Sequence, residues 1–341
     1  MNFYVRLALG LAAVLGAGIA FTFEYPPLTV EQRGYRGLAI EQVHTDKALA
    51  TLAASNVVPA AADPQEPSGI KSSAAYENVQ VLGDLDSNEF LRLMTSITEW
   101  VSPEEGCTYC HSEENLADDT KYTKIVARRM LQMTAHINAT WKPHVAETGV
   151  TCYTCHRGRA VPANVWSAEP PQPGPIFAGN RAGQNAPSSI AANASLPHDI
   201  FTPYLSKAVN ISVAGTQALP AGNTHTIMGA EHTYGLMMHF SKALGVNCTY
   251  CHNSRAFASW KESSPQRVTA WHGIRMARDI NNAYMDPLAS VFPANRKGPL
   301  GDVKKVNCAT CHQGAYKPLL GVSMLKDYPE LGPGGPIKAT P

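Results

Sequence analysis

The chain has 341 residues, enough for one large domain or two medium ones and ample to bury a core. Lys+Arg is 28 against Asp+Glu 27, a formal net charge of +1, which gives no support for a nucleic-acid binder with its strongly basic face. Hydrophobic residues reach 44%, which excludes a disordered chain, while 25 Pro and 26 Gly point to much irregular structure and away from a helical repeat array.

Residues 1–23 read as an N-terminal membrane anchor or signal segment. Leu7 to Phe23 is a run of 17 residues whose only non-apolar side chain is Thr22, with Arg6 before it and Glu24 after it. As a helix it reaches roughly 25 Å, the short end for a membrane span. The charge order leaves the N-terminus in the cytoplasm and exports the rest. A cleaved signal peptide is the rival, since Gly18-Ile19-Ala20 offers small residues near a cut; either way the body is exported. Residues 24–75 read as an irregular lead-in, 76–160 as a first unit and 161–229 as a Pro-, Gly- and Ser-rich surface connection. Residues 230–318 form a second unit, and 319–341 a Gly/Pro-rich tail expected to wrap the surface.

All eight cysteines fall in four copies of one pattern: Cys107-Thr108-Tyr109-Cys110-His111, Cys152-Tyr153-Thr154-Cys155-His156, Cys248-Thr249-Tyr250-Cys251-His252 and Cys308-Ala309-Thr310-Cys311-His312. C-x-x-C-H is the attachment signature of c-type haem. Two thiols bond the haem vinyl groups, and the adjacent His is placed to coordinate iron from one side. A lone CxxC is as readily a zinc site or a redox dithiol, but neither demands a His after every copy. Assembly needs an exported, oxidising setting, in agreement with the N-terminus.

The two units repeat each other. Helical runs precede each motif: Phe90-Leu91-Arg92-Leu93-Met94 and Tyr234-Gly235-Leu236-Met237 before the first and third, Arg129-Met130-Leu131-Gln132-Met133 with Ile137-Asn138 and Ile274-Arg275-Met276 with Ile280-Asn281 before the second and fourth. The repetition predicts a mainly α multihaem protein with long irregular connections, built from two dihaem units related by an approximate two-fold. A Met as sixth ligand gives a high-potential electron-transfer haem. Aligning Leu93-Met94 with Leu236-Met237 selects Met94 and Met237 for the first and third haems. Met130 and Met133 compete for the second. Matching Ile137-Asn138 to Ile280-Asn281 sets Met133 opposite Met276 and Met130 opposite Gly273, so if Met130 is the ligand the fourth haem must borrow, with His136 and His144 as candidates.

The four motifs, with Thr98-Glu99-Trp100-Val101-Ser102-Pro103, Val126-Ala127-Arg128-Arg129-Met130, Gly149-Val150-Thr151 leading into the second motif, and Leu325-Lys326-Asp327-Tyr328-Pro329-Glu330-Leu331-Gly332-Pro333, resemble the tetrahaem cytochrome c subunit of purple-bacterial photosynthetic reaction centres. The resemblance covers roughly residues 76–159 and 230–333. It implies four covalently bound haem c groups, with iron held by Met94 and His111, Met130 and His156, Met237 and His252, and His144 and His312. His136 is then a solvated or core residue. It implies an electron carrier rather than an enzyme, on the periplasmic side of the photosynthetic membrane, reducing the bacteriochlorophyll special pair carried by other reaction-centre subunits. The third haem is expected nearest that pair, with Arg267 beside it. Some relatives anchor through a lipid-bearing Cys; here the apolar run must serve.

Around the first motif lie Glu99, Glu104, Glu105, Glu113, Glu114, Asp118 and Asp119, with no Lys or Arg from Glu99 to Asp119. Glu104, Glu105, Glu113 and Glu114 are the candidate landing site for a basic soluble donor, such as a small c-type cytochrome. The main alternative is a membrane-anchored tetrahaem quinol dehydrogenase, against which the Met-bearing helices and the chain length count.

Overall fold

The computed structural model describes residues 2–23, 28–170, 196–213 and 226–337. The protein is mainly α, with irregular connections and, among the described residues, one two-stranded antiparallel sheet. Helix α1 (Phe3–Ala20) carries one charged residue, Arg6, is apolar from Leu7 onward, buries no residue, and is long enough to cross a membrane. A hairpin of β1 (Leu28–Gln32) and β2 (Glu41–Thr45) pairs Leu28 with Thr45 and Gln32 with Glu41, and α2 (Asp46–Ser55) follows, capped by the Thr45 hydroxyl. The lead-in expected to be irregular therefore carries ordered structure. It straps the second unit: the Tyr35 hydroxyl donates to Ser263 O (2.8 Å), Ile40 N to Thr249 Oγ1 (2.9 Å) and Gln42 Nε2 to Gly245 O (2.8 Å).

After the short α3 (Ser72–Ala75), α4 (Ser87–Val101) opens on Asp86, whose carboxylate accepts from Asn88 N, and stops at Ser102 before Pro103. Its apolar stripe buries Leu93 and Trp100. Helix α5 (Tyr122–Thr140) brings Leu131 and Ala135 to the same cluster, and α6 (Lys142–Val145) and α7 (Cys152–His156) complete the first unit. Helix α8 (Ile227–Leu244) ends on Gly245 at φ +64°, where an added Cβ would run into the Gly314 carbonyl, so only glycine closes this helix. Helix α9 (Pro265–Asp279) starts with Pro at its first position, and α10 (Cys308–His312) ends the repeat.

Two expectations are corrected here. The tail was read as a surface wrap, yet Leu319, Met324, Tyr328, Leu331 and Ile337 lie in the first core with Leu93, Trp100 and Leu131. The Tyr328 ring meets Trp100 edge-on at 4.6 Å and lies under the Arg92 guanidinium at 4.4 Å. The 161–229 connection was also read as surface, yet Trp166, Ile200, Phe201, Tyr204 and Leu205 build the second core with Leu236, Ile274 and Ala277. Burying one such side chain contributes about 1.5–3 kcal/mol. Residues 171–195 and 214–225 of that connection lie outside the described residues.

Candidate haem-attachment and axial-ligand site

The second and fourth motifs are short helices with matching ends. In α7, Thr151 N donates to Thr154 Oγ1 (3.0 Å); in α10, Asn307 N donates to Thr310 Oγ1 (3.0 Å), and both form capping boxes. Both helices stop on a left-handed residue, Arg157 (φ 49°) and Gln313 (φ 47°). The next amides dock alike, Gly158 N on Trp100 O and Gly314 N on Ala243 O, each at 2.8 Å. The two motifs also meet reciprocally. Arg157 Nη2 donates to Cys311 O (3.2 Å) and Gln313 Nε2 to Cys155 O (3.4 Å). Between them Cys155 and Cys311 are joined as a disulfide. Both were expected to bond haem, and a sulfur in a disulfide cannot also be a thioether, so the two assignments exclude each other. Burial pushes the Cys152 and Cys308 thiols up to about 12.

The first and third motifs are looser. Each is a 3₁₀ turn, Gly106–Tyr109 and Cys248–Tyr250, with its first cysteine, Cys107 or Cys248, exposed. Each is tied to the start of the following long helix by one hydroxyl: Thr123 Oγ1 donates to Tyr109 O and Ser264 Oγ to Tyr250 O, both at 2.5 Å. Burial pushes the second cysteines, Cys110 and Cys251, up to about 11.

The four motif histidines share one arrangement. The Nδ1 of His111 faces Leu116 O (2.7 Å), that of His156 faces Arg159 O (2.8 Å), that of His252 faces Phe257 O (2.9 Å) and that of His312 faces Ala315 O (2.9 Å). His144 does the same toward Thr269 O (2.9 Å). A carbonyl only accepts, so each Nδ1 carries the proton and each Nε2 keeps its lone pair for a metal. Burial lowers the pKa of His144, His156 and His252, and takes His312 down to about 4, which favours the neutral imidazole a metal requires. His136 is the reverse case: its Nε2 is engaged by Asp279 Oδ2 at 2.6 Å, which also accepts from Trp141 Nε1 (2.8 Å). It is a bridge between the units.

His144 stands over α9, where a Cβ on Gly273 would come within 2.5 Å of its Cε1. Its ring centroid lies 6.0 Å from that of His312. Met94 on α4 packs against the first core and Met237 on α8 against the second. Met130 and Met133 are both half-buried on α5. Arg267 is not a free surface residue. Its Nη1 donates to Ser259 O (2.9 Å) and Ser263 Oγ (2.6 Å), and its guanidinium lies 4.2 Å from the Trp260 ring, in the loop whose Phe257 stacks on His252. Glu104, Glu105, Glu113 and Glu114 are exposed. Asp119 is instead held by Arg128 Nη1 (2.9 Å), Lys124 Nζ (3.2 Å) and Asn78 Nδ2 (2.9 Å).

Sequence reading assigned no role to Asn138 and Asn281, used there only as alignment marks. Asn138 Oδ1 accepts from Val150 N (2.8 Å) and its Nδ2 donates to Val150 O (2.9 Å) and Leu331 O (2.8 Å). Asn281 Oδ1 accepts from Val306 N (2.8 Å) and its Nδ2 donates to Val306 O (3.0 Å) and Leu205 O (2.9 Å). Their recurrence beside an isoleucine in both repeats was the available signal.

The sequence of this chain is similar to known proteins along nearly its whole length. Residues 24–332 match the family described as photosynthetic reaction centre cytochrome C subunit. The photosynthetic reaction center cytochrome c subunit of Rubrivivax gelatinosus is 52% identical over 335 residues, covering 98% of this chain and 91% of the relative. That of Thermochromatium tepidum is 47% identical over 328 residues, covering 96% and 80%. That of Roseobacter denitrificans is 44% identical over 268 residues, covering 75% and 72%. The chain therefore belongs to the photosynthetic reaction centre cytochrome c subunit family: it is a membrane-associated electron carrier with covalently bound haem c, works with the reaction centre, and is not an enzyme.

Proposed function

We propose that the chain holds four haem c groups as a relay from a soluble periplasmic donor to the photo-oxidised bacteriochlorophyll special pair. Cys107, Cys110 and His111 hold the first, Cys152, Cys155 and His156 the second, Cys248, Cys251 and His252 the third, and Cys308, Cys311 and His312 the fourth. Met94, Met130, Met237 and His144 would supply the second protein ligand to the iron of each, in that order. Bound in this way, each group carries one electron at a potential set by its axial ligands, charge and burial.

The observation that carries this reading is the shared Nδ1-to-carbonyl bond of His111, His144, His156, His252 and His312, against the engaged Nε2 of His136. Gly273 supports the borrowed ligand. At the position matching Met130 it leaves room for the His144 ring, which argues for Met130 over Met133 as the second sulfur ligand. The matched caps, the paired Gly158 and Gly314 contacts and the reciprocal Arg157 and Gln313 bonds support two dihaem units, residues 76–160 and 230–318, about a local two-fold. Thioethers at Cys155 and Cys311, in place of the disulfide, treat all four motifs alike and leave neither Cys152 nor Cys308 as a lone half-buried thiol. The exposed Glu104, Glu105, Glu113 and Glu114 suit a basic donor, Arg267 fixes the loop beside His252, and α1 anchors the body on the periplasmic side.

The test is denaturing mass spectrometry and redox titration of protein purified from photosynthetic membranes. The expected result is a mass surplus of four haems, no disulfide, three high-potential steps and one lower step, and haem bands that bleach after a flash. A smaller surplus, a Cys155–Cys311 disulfide, or bands unmoved by light would overturn the reading.

A further inference from the structure

We infer that Asn138 and Asn281 are positioning residues, each using one buried side-chain amide to fix the backbone leading into a haem-attachment motif against the helix on the far side of the same group. This rests on the haem assignments proposed above and adds to them what sets the spacing between proximal and distal ligands. Asn138 is 2% exposed and Asn281 0%. Each forms a closed pair of bonds with a single residue, Val150 or Val306, accepting from its N–H and donating to its C=O. That residue lies two positions before Cys152 or Cys308, immediately ahead of the capping residue Thr151 or Asn307. The second amide proton goes to a carbonyl from a distant segment, Leu331 O in the tail or Leu205 O in the connection.

The helix side of the first clamp carries Met130, and that of the second carries Gly273, against which the His144 ring of α6 rests. Asn138 follows Met130 by eight residues on α5, and Asn281 follows Gly273, the seat of His144, by the same eight, in the π-helical segment Ile280–Met285 that continues α9. One planar amide thus ties the start of a CxxCH helix to the helix that carries Met130 in the first clamp, and in the second to the continuation of α9, the helix on which the His144 ring is seated. Only an asparagine does this at this reach. An aspartate keeps the acceptor but loses both donors, and a glutamine moves the fork by a methylene. The first clamp is closed tightly, since a Cβ on Gly149, at φ +59°, would lie 3.0 Å from Asn138 Oδ1.

The test is an equilibrium redox titration of the intact reaction-centre complex with Asn138→Asp and Asn281→Asp, each followed by optical spectra and haem counting by mass. Asn138→Asp is expected to shift the midpoint of one Met-ligated step and weaken its sulfur-to-iron absorption, leaving the lowest step in place. Asn281→Asp is expected to shift the lowest step alone. Midpoints that match wild type, or a uniform shift of all four, would overturn the inference. Hydrogen exchange on the wild-type complex gives an answer even if a variant fails to assemble. The Val150 and Val306 amides are expected among the slowest in the protein, and fast exchange at either would refute the clamp. A wild-type count below four haems breaks the underlying assignment, whereas a full count with unmoved midpoints breaks the clamp alone.

Discussion

The second and fourth motifs fold differently from the first and third, although all four share the same three fixed residues. In Cys-Tyr-Thr-Cys-His and Cys-Ala-Thr-Cys-His the third residue is threonine, and its hydroxyl closes a capping box that turns the motif into helix. In the two Cys-Thr-Tyr-Cys-His copies that place is tyrosine, no box forms, and the backbone settles into a 3₁₀ turn tied by a hydroxyl from the next helix. The capped pair meets in the interior and locks reciprocally, while the uncapped pair keeps its first cysteines at the surface. One side chain between the cysteines therefore separates an inner pair held by packing from an outer pair open to partners.

The strongest way to break that contrast is to damage the approach to an inner motif. Gly149→Ala forces a Cβ into the Leu325 side chain and against Asn138 Oδ1 at φ +59°. Overpacking of about 1–3 kcal/mol is expected, with left-handed strain of about 1–2 kcal/mol added. Thermal unfolding of the haem-loaded protein should show a drop of several degrees, and Gly106→Ala, also at positive φ but with no atom near its Cβ, should cost only the strain. Equal losses would mean that the second motif is no tighter than the first.

The outer motif answers instead to charge. Reversing Glu104, Glu105, Glu113 and Glu114 to Lys should slow second-order reduction by a basic donor cytochrome about tenfold at low salt, with the difference vanishing as screening rises. Stopped-flow rates against ionic strength measure this. An unchanged salt slope would remove these side chains from docking.

Much of this organisation was legible in the sequence because covalent chemistry fixes residue types at fixed spacing. The four repeated motifs and the gap at Gly273 could be read from alignment of the two halves, and the His144 ring does stand over Gly273. What escaped was long-range packing. Tyr328 and Leu331 lie more than 220 residues from the α4 residues Leu93 and Trp100 that they cover, and no local pattern announces such a contact. The Pro/Gly content of the connection likewise masked Phe201, Tyr204 and Leu205, since averaging over a long segment dilutes a short apolar anchor. Asp119, at the end of the charge run, pairs with Lys124 and Arg128, five and nine residues further on along α5.

Smaller effects sharpen the role of the cap. Thr154→Val removes the bond from Thr151 N, and Thr310→Val removes that from Asn307 N together with a donation to Asn164 O (3.2 Å). Each should cost about 1 kcal/mol in equilibrium unfolding. Thr108→Val at the first motif loses only an exposed bond to Glu105 O and should stay within about 0.5 kcal/mol. A Thr108 penalty as large as the other two would show that the hydroxyls matter through solvation rather than capping.

The smallest expected effect lies in the loop after His111, where charge does what caps do in the inner pair. The Asp119 carboxyl is held well below the ordinary carboxylate range, first by the hydrogen bond from Arg128 and then by those from Asn78 and Lys124. A depressed folded-state pKa contributes stability that is complete above the unfolded value of about 3.9 and fades as pH falls below it. The carboxylate is partly exposed, so water and salt screen the pairs and the contribution stays under about 1 kcal/mol. Limited proteolysis between residues 112 and 120 should therefore accelerate below about pH 4 while the inner motifs stay protected. In Asp119→Asn the loop should already be more open at neutral pH, with that acid step gone. Should the acid step survive the substitution, the loop is governed by another carboxylate, and the contrast between capped and charge-held motifs would have to be redrawn around it.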